Sequence, residues 1–185
     1  MKKGYIVLFN GTMAVGKTTA ANYFAQNTYK GVVVEPDEIR TYVKNYRIGQ
    51  DEVAAGTGKQ EDYEEQQELA SNIAVDAAKR YLAKGFTMYL TDTAYLDQVV
   101  NMYFERLSDE EFYPILLTAS FECLYGRINK RSKHYVPGDK EKTVQFLEYF
   151  SKVYKDPRWI KIDTTDLSEV QVIEKVKEVG FWKES

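Results

Sequence analysis

Five short apolar runs punctuate the chain: Tyr5–Asn10 (YIVLFN), Val32–Val34, Phe86–Thr91 (FTMYLT), Tyr113–Ala119 (YPILLTA) and Trp159–Ile162 (WIKI). Runs of this length, bounded by glycine, proline or polar residues, predict strands buried on both faces. Between them the apolar spacing is helical: over about 17–26, from near Asp37, over 61–84 and 96–107, through about Arg131, over 144–154 and over 168–179. In the longest of these, Leu69, Ile73, Ala77 and Leu82 are expected to share one buried face, while Glu61, Asp62, Glu64 and Glu65 face water at its start. The stretch 48–60 holds Gly49, Gly56 and Gly58, lacks periodicity and reads as a mobile loop. Residues 132–142 are polar, contain Pro137-Gly138, and read as a loop or lid. Strands alternating with helices imply βαβ units around a parallel sheet. No repeat, low-complexity tract or linker interrupts them, so residues 1–185 are expected to form one α/β domain.

Composition narrows the setting. An apolar share of 44% supports a solid core, and 29% charged residues fit a soluble globular chain. No apolar run reaches the length of a membrane span, and the start, MKKGYIVLFN, is too short for a signal-peptide core, so a cytoplasmic location is expected. With one cysteine (Cys123) and one histidine (His134), neither an internal disulfide nor a structural zinc site is expected. A net charge of −3 argues against an extended nucleic-acid footprint, though a short oligonucleotide end fits one local basic pocket.

The chemistry enters at residues 11–18, GTMAVGKT. Gly11, four residues (Thr12, Met13, Ala14, Val15) and then Gly16-Lys17-Thr18 match the phosphate-binding loop pattern, with Thr19 continuing into the helix. The glycines let the backbone curl so that successive N–H groups point inward at phosphate oxygens, and the following helix adds its positive end. Lys17 is placed to reach the β- and γ-phosphates and Thr18 to ligate Mg²⁺. Chance gives this pattern in about 1% of chains this long, and the flanking strand and helix lower that further.

Two classes of phosphate-loop protein compete. A GTPase-type switch needs Asp-x-x-Gly and Asn-Lys-x-Asp. No aspartate here has glycine three residues on, and the only Asn-Lys pair, Asn129-Lys130, continues Arg131-Ser132. Three further sites favour a kinase. Asp37-Glu38-Ile39-Arg40 follows the second strand, where a carboxylate can accept a hydroxyl proton and an arginine one turn on can face the same cleft; Asp37 also suits a helix cap. Asp92 ends the third strand, where an acid can hold Mg²⁺ through water or orient a catalytic arginine. Arg127 to His134 (RINKRSKH) places basic residues where a lid can close over phosphates.

In order, GTMAVGKT, PDEIR, TDTAY, RINKRSKHYVP and IDTTDLS resemble the kinase domain of polynucleotide kinases and related small P-loop kinases, including chloramphenicol phosphotransferase-like and zeta-toxin-like enzymes. The resemblance covers nearly the whole chain, and RINKRSKHYVP is its part most specific to polynucleotide kinases. It implies a three-layer P-loop NTPase fold with a five-stranded parallel sheet ordered 2-3-1-4-5. It implies that Asp37 is the general base and touches the acceptor, and that Arg40 holds an acceptor phosphate. It makes Asp92 the acid behind a transition-state arginine at Arg131, sets Arg127 near adenine, and puts Thr164 and Thr165 in the loop bordering the base. The expected ligands are ATP and Mg²⁺, with ATP preferred over GTP because the guanine reader is missing. The expected reaction is transfer of the γ-phosphate to a hydroxyl of a small molecule or nucleoside-like acceptor. A polynucleotide 5′-hydroxyl kinase, or a nucleotide-binding regulatory module with weak ATPase activity, are the alternatives.

Overall fold

The computed structural model describes residues 4–49, 52–53, 55–130, 144 and 147–182. The elements run β1 (Ile6–Asn10), α1 (Lys17–Gln26), β2 (Gly31–Val34), α2 (Pro36–Arg40), α3 (Gln60–Leu82), β3 (Thr87–Asp92), α4 (Asp97–Arg106), β4 (Phe112–Thr118), α5 (Phe121–Lys130), α6 (Ser151–Lys155), β5 (Ile160–Asp163) and α7 (Glu169–Lys177). All strand pairings are parallel, and the sheet order is β2-β3-β1-β4-β5.

The sheet sorts its side chains by strand alternation. Ile6 and Leu8 of β1 join Met88, Leu90 and Leu116 in a core completed by α3, α4 and α6. Val7 and Phe9 join Tyr89, Ile115 and Leu117 in a second core under α1, α5 and α7. Phe24 stacks between Phe9 and Tyr89 at centroid distances of 6.2 Å each. The result is three layers, with β1 central and fully buried. In register, Asn10 sits beside Asp92 of β3 and Leu116 of β4, so the polar residue ending β1 and the acid ending β3 emerge together. Strand ends of a doubly wound sheet are where ligands bind.

Three expectations change. The buried face of α3 is Tyr63, Gln67, Ala70, Ser71, Ala74, Val75, Ala78 and Leu82. Leu69 and Ile73 lie on the opposite side, 56% and 43% exposed, and only Leu82 of the expected set is buried. Two polar residues, Gln67 and Ser71, occupy the inner face because a buried acid needs their donors, and that disguises the period. Glu35, not Asp37, is the N-cap of α2, with Pro36 at the first helical position and no side-chain cap bond. The expected 144–154 helix is divided by a turn at Phe150, whose fully buried ring packs against Tyr95 and Tyr154.

No helix among the described residues is long and apolar enough to cross a membrane.

The corrected face is testable by stability. Ile73→Ala should move the unfolding free energy by about 0.5 kcal/mol or less, whereas Leu82→Ala should cost about 2–5 kcal/mol. Urea titrations of both variants check this; a larger loss at Ile73 than at Leu82 contradicts the packing described.

Candidate active site

The phosphate loop is shaped by what surrounds it. Asn10 makes two hydrogen bonds to the backbone of Ala94: its amide donates to the carbonyl and its oxygen accepts from the N–H, both at 2.9 Å. This ties the end of β1 to the β3–α4 connection. Gly11 then turns at φ +146°, with its α-carbon so close to β4 that a Cβ would lie 2.3 Å from the Leu117 carbonyl oxygen. Gly16 caps α1 at φ +102°, and no side chain caps that helix. Its first-turn N–H groups thus face the loop and suit phosphate oxygens. Lys17 arches back, its Nζ donating to the carbonyls of Gly11 and Thr12 at 2.8 Å each.

Beside this loop stands Glu35, a residue the sequence reading passes over. Its Oε2 accepts from the Thr18 hydroxyl at 3.4 Å. Partial burial, and then the nearby Glu38 charge, hold its carboxyl above the usual range, against hydrogen bonds from Thr91 and Thr18. Its position directly after the apolar run Val32–Val34 was the available signal. A hydroxyl and a carboxylate side by side form a donor set suited to Mg²⁺.

Asp37 and Asp92 are joined by a chain of side chains. Asp37 is half-exposed and accepts from Arg40 Nη1 at 3.2 Å. Arg40 is only 5% exposed. Its guanidinium also donates to Gln67 Oε1 at 3.1 Å and to the Ile48 carbonyl, and it lies 4.7 Å over the Tyr63 ring. Gln67 Nε2 donates to Asp92 Oδ1 at 3.2 Å. Asp92 accepts three more bonds: from Ser71 Oγ at 2.9 Å, Tyr103 OH at 2.6 Å and Thr93 N–H at 2.7 Å. Burial pushes its carboxyl up to about 6, against the pull of these donors.

Behind the loop lies a cavity of about 310 Å³ lined by Ala14, Val15, Gly16, Thr19, Ala20, Arg127, Lys130, Leu167, Ser168, Glu169, Val172 and Ile173. Arg127 walls one side. Its guanidinium donates to Thr164 Oγ1 at 3.0 Å and to the carbonyls of Thr164 and Leu167 at 2.6 and 3.2 Å. The mostly apolar lining beside a phosphate loop suits a planar base.

Most expected residues therefore converge on the carboxyl ends of β1, β2 and β3. Both Asp92 oxygens accept from protein donors, four in all, whereas Glu35 is the carboxylate that meets the Thr18 hydroxyl. Arg40 is enclosed, and its carboxylate contact is Asp37. Thr164 is fully buried and bonds the Thr118 carbonyl and Arg127, while the Thr165 hydroxyl bonds Asp163 and Ser120 N–H. Arg131 and the expected lid at 132–142 lie outside the described residues.

A five-stranded parallel sheet in this order, with a phosphate loop leaving its central strand, defines a P-loop NTPase fold. Residues 7–148 match the family model described as AAA domain, and the chain belongs to that family. No curated protein matches it. Among solved structures, the tunicamycin resistance protein of Deinococcus radiodurans is similar at 17% identity over 97% of this chain and 97% of that one, with a TM-score of 0.67. A shikimate kinase from Bacteroides thetaiotaomicron is 14% identical over 95% and 97%, with a TM-score of 0.68. A gluconokinase from Sinorhizobium meliloti 1021 is 16% identical over 94% and 89%, with a TM-score of 0.62. The structural neighbours thus include several small P-loop kinases.

The Asp92 carboxyl links pH to stability with a definite sign. Its native value, about 6, lies above the ordinary 3.8, so the native state binds the extra proton between them. Stability therefore falls as pH rises through that window. Asp92→Asn should remove this fall, worth on the order of 3 kcal/mol between pH 4 and pH 7. Urea denaturation of both proteins at the two pH values measures it; an identical pH dependence contradicts the burial of the ionised form.

Proposed function

We propose that this protein is an ATP- and Mg²⁺-dependent kinase that phosphorylates a hydroxyl of a small-molecule or nucleoside-like acceptor. The observation carrying this reading is the exposed Asp37 carboxylate, held by an enclosed arginine at the end of β2, beside the phosphate loop leaving β1. A carboxylate so placed can take the proton of an attacking hydroxyl, and a dependence of ADP release on an added acceptor separates a kinase from a nucleotide hydrolase.

The roles follow from the placement. The Gly11–Thr18 backbone and Lys17 hold the triphosphate, with the base in the cavity beside Arg127. Thr18 and Glu35 would hold Mg²⁺, which, when bound, offsets phosphate charge. Asp37 takes the proton from the acceptor O–H, that oxygen forms a bond to the γ-phosphorus, and the bond to the β–γ bridging oxygen breaks, releasing ADP. Arg131, by resemblance, adds positive charge to the transferring group. Arg40 positions Asp37. The cavity carries no guanine-reading Asn-Lys-x-Asp, so ATP is the expected donor.

The test is ADP release from ATP·Mg²⁺ over a panel of sugars, nucleosides, antibiotics and oligonucleotide 5′ ends. At least one acceptor should raise the rate well above its acceptor-free level; a flat panel with intact ATP binding contradicts the reading. With the responding acceptor, Asp37→Asn should lower transfer about 10²–10⁴-fold. Asparagine keeps an oxygen for Arg40 but removes the charge beside that enclosed guanidinium, so the melting temperature should fall by a few degrees with the protein still folded at the assay temperature, while ATP affinity should hold. Unchanged transfer removes Asp37 as the base.

A further inference from the structure

Gln67 lies two turns into α3, on its inner face, 2% exposed, in a segment whose sequence reads as an ordinary amphipathic helix. Its amide joins two groups of fixed polarity. Arg40 can only donate, and ionised Asp92 can only accept. A side chain between them must therefore offer one acceptor and one donor at opposite sides of one planar group, and Gln67 does, at 3.1 and 3.2 Å. Leucine or methionine at this place leaves Arg40 one acceptor short and Asp92 one donor short. Glutamate sets a second carboxylate against Asp92.

The chain has a stiff end and a working end. Asp92 is clamped by Ser71 and Tyr103, both fully buried, and by its neighbour's N–H. From there the order is Asp92, Gln67, Arg40, Asp37, and only Asp37 reaches solvent. Arg40 lies over the Tyr63 ring with Nη2 bonded to the Ile48 carbonyl, and the Gln67 bond to Nη1 fixes the remaining rotation of the guanidinium about that contact. Nη1 is also the nitrogen that bonds Asp37, so the Gln67 contact sets the angle at which Asp37 is held.

We propose that Gln67 is a positioning residue of the phosphoryl-transfer site: it transmits the fixed geometry of Asp92 through Arg40 to the Asp37 carboxylate. This rests on the kinase reading and on Asp37 as its base. Gln67 touches neither nucleotide nor acceptor. Its removal lets Asp37 drift from the reacting oxygen, and misplacement by about 1 Å costs roughly 10²-fold.

The experiment is a double-mutant cycle of Gln67→Leu and Asp37→Asn, read by ADP release from ATP·Mg²⁺ with the sugar, nucleoside, antibiotic or oligonucleotide 5′ end that raises the wild-type rate most. ATP affinity by calorimetry and a thermal melt accompany each protein, with Lys17→Ala as the inactive control. Gln67→Leu should slow ADP release about 10- to 100-fold in the Asp37 background, through kcat with the ATP KM within about twofold. In the Asp37→Asn background it should add almost nothing, because the group it positions is already gone. Equal losses in both backgrounds mean general structural damage and overturn the proposal, as does full activity of Gln67→Leu. If that variant fails to fold, Gln67→Met, which keeps the unbranched length without the amide, carries the same two expectations. Wild-type release that no acceptor raises above the Lys17→Ala level overturns the kinase reading itself, and an Asp37→Asn protein with full acceptor-dependent activity overturns Asp37 as the base. Either result overturns the proposal too, and each is distinct from additivity in the cycle.

Discussion

Everything in the site depends on how β1 ends. The strand is enclosed by β3 on one side and β4 on the other, and at Gly11 there is no room for a Cβ against the Leu117 carbonyl. The chain must turn there with a left-handed backbone, and glycine alone does so without strain. Asn10 fixes the point of departure by gripping Ala94, and Lys17 fixes the return by bonding the carbonyls of Gly11 and Thr12. The loop is thus held from its outer side by its own lysine, and its N–H groups are left facing inward at the open end of α1. Phosphate binding is a property of that backbone, and the side chains around it decide what is done with the phosphate.

Two carboxylates near the loop show how environment separates roles. Asp92 lies wholly in the core and serves as an acceptor for four donors, a position that favours a fixed reference point over contact with ligand. Asp37 is half in water and has one cation, itself buried, to orient it. Enclosing a guanidinium is costly unless its donors are satisfied. Asp37, Gln67 and the Ile48 carbonyl satisfy most of them, and the Tyr63 face covers the plane. The arginine is therefore well suited to orienting the Asp37 carboxylate. Glu35, between the two aspartates in exposure, leans on Thr18 and completes the phosphate side of the cleft.

The strands and the phosphate loop were readable because each rests on local patterns: an apolar run between turn residues, and a glycine spacing with a mechanical cause. The sheet order came from resemblance rather than from periodicity. The inner face of α3 was not readable, since Gln67 and Ser71 look like surface residues until the buried Asp92 that needs them is known. Leu69 and Ile73 then mislead, because large apolar residues also stand on surfaces. Glu35 was hidden by Pro36, which marks a strand end so plainly that the acid before it reads as punctuation. The hydroxyls of Thr164 and Thr165 turn to backbone and to Asp163, which only the packing of β4 against β5 decides.

The central claim is that the loop recognises phosphates and Lys17 is part of that recognition. Calorimetric titration of the wild type and of Lys17→Ala with ATP·Mg²⁺, and of the wild type with adenosine, addresses it directly. The account predicts saturable ATP binding, adenosine weaker by about 100-fold or more, and a Lys17→Ala protein that still melts cooperatively but has lost most of its ATP affinity. Adenosine binding as tightly as ATP, or ATP binding undiminished by Lys17→Ala, contradicts it.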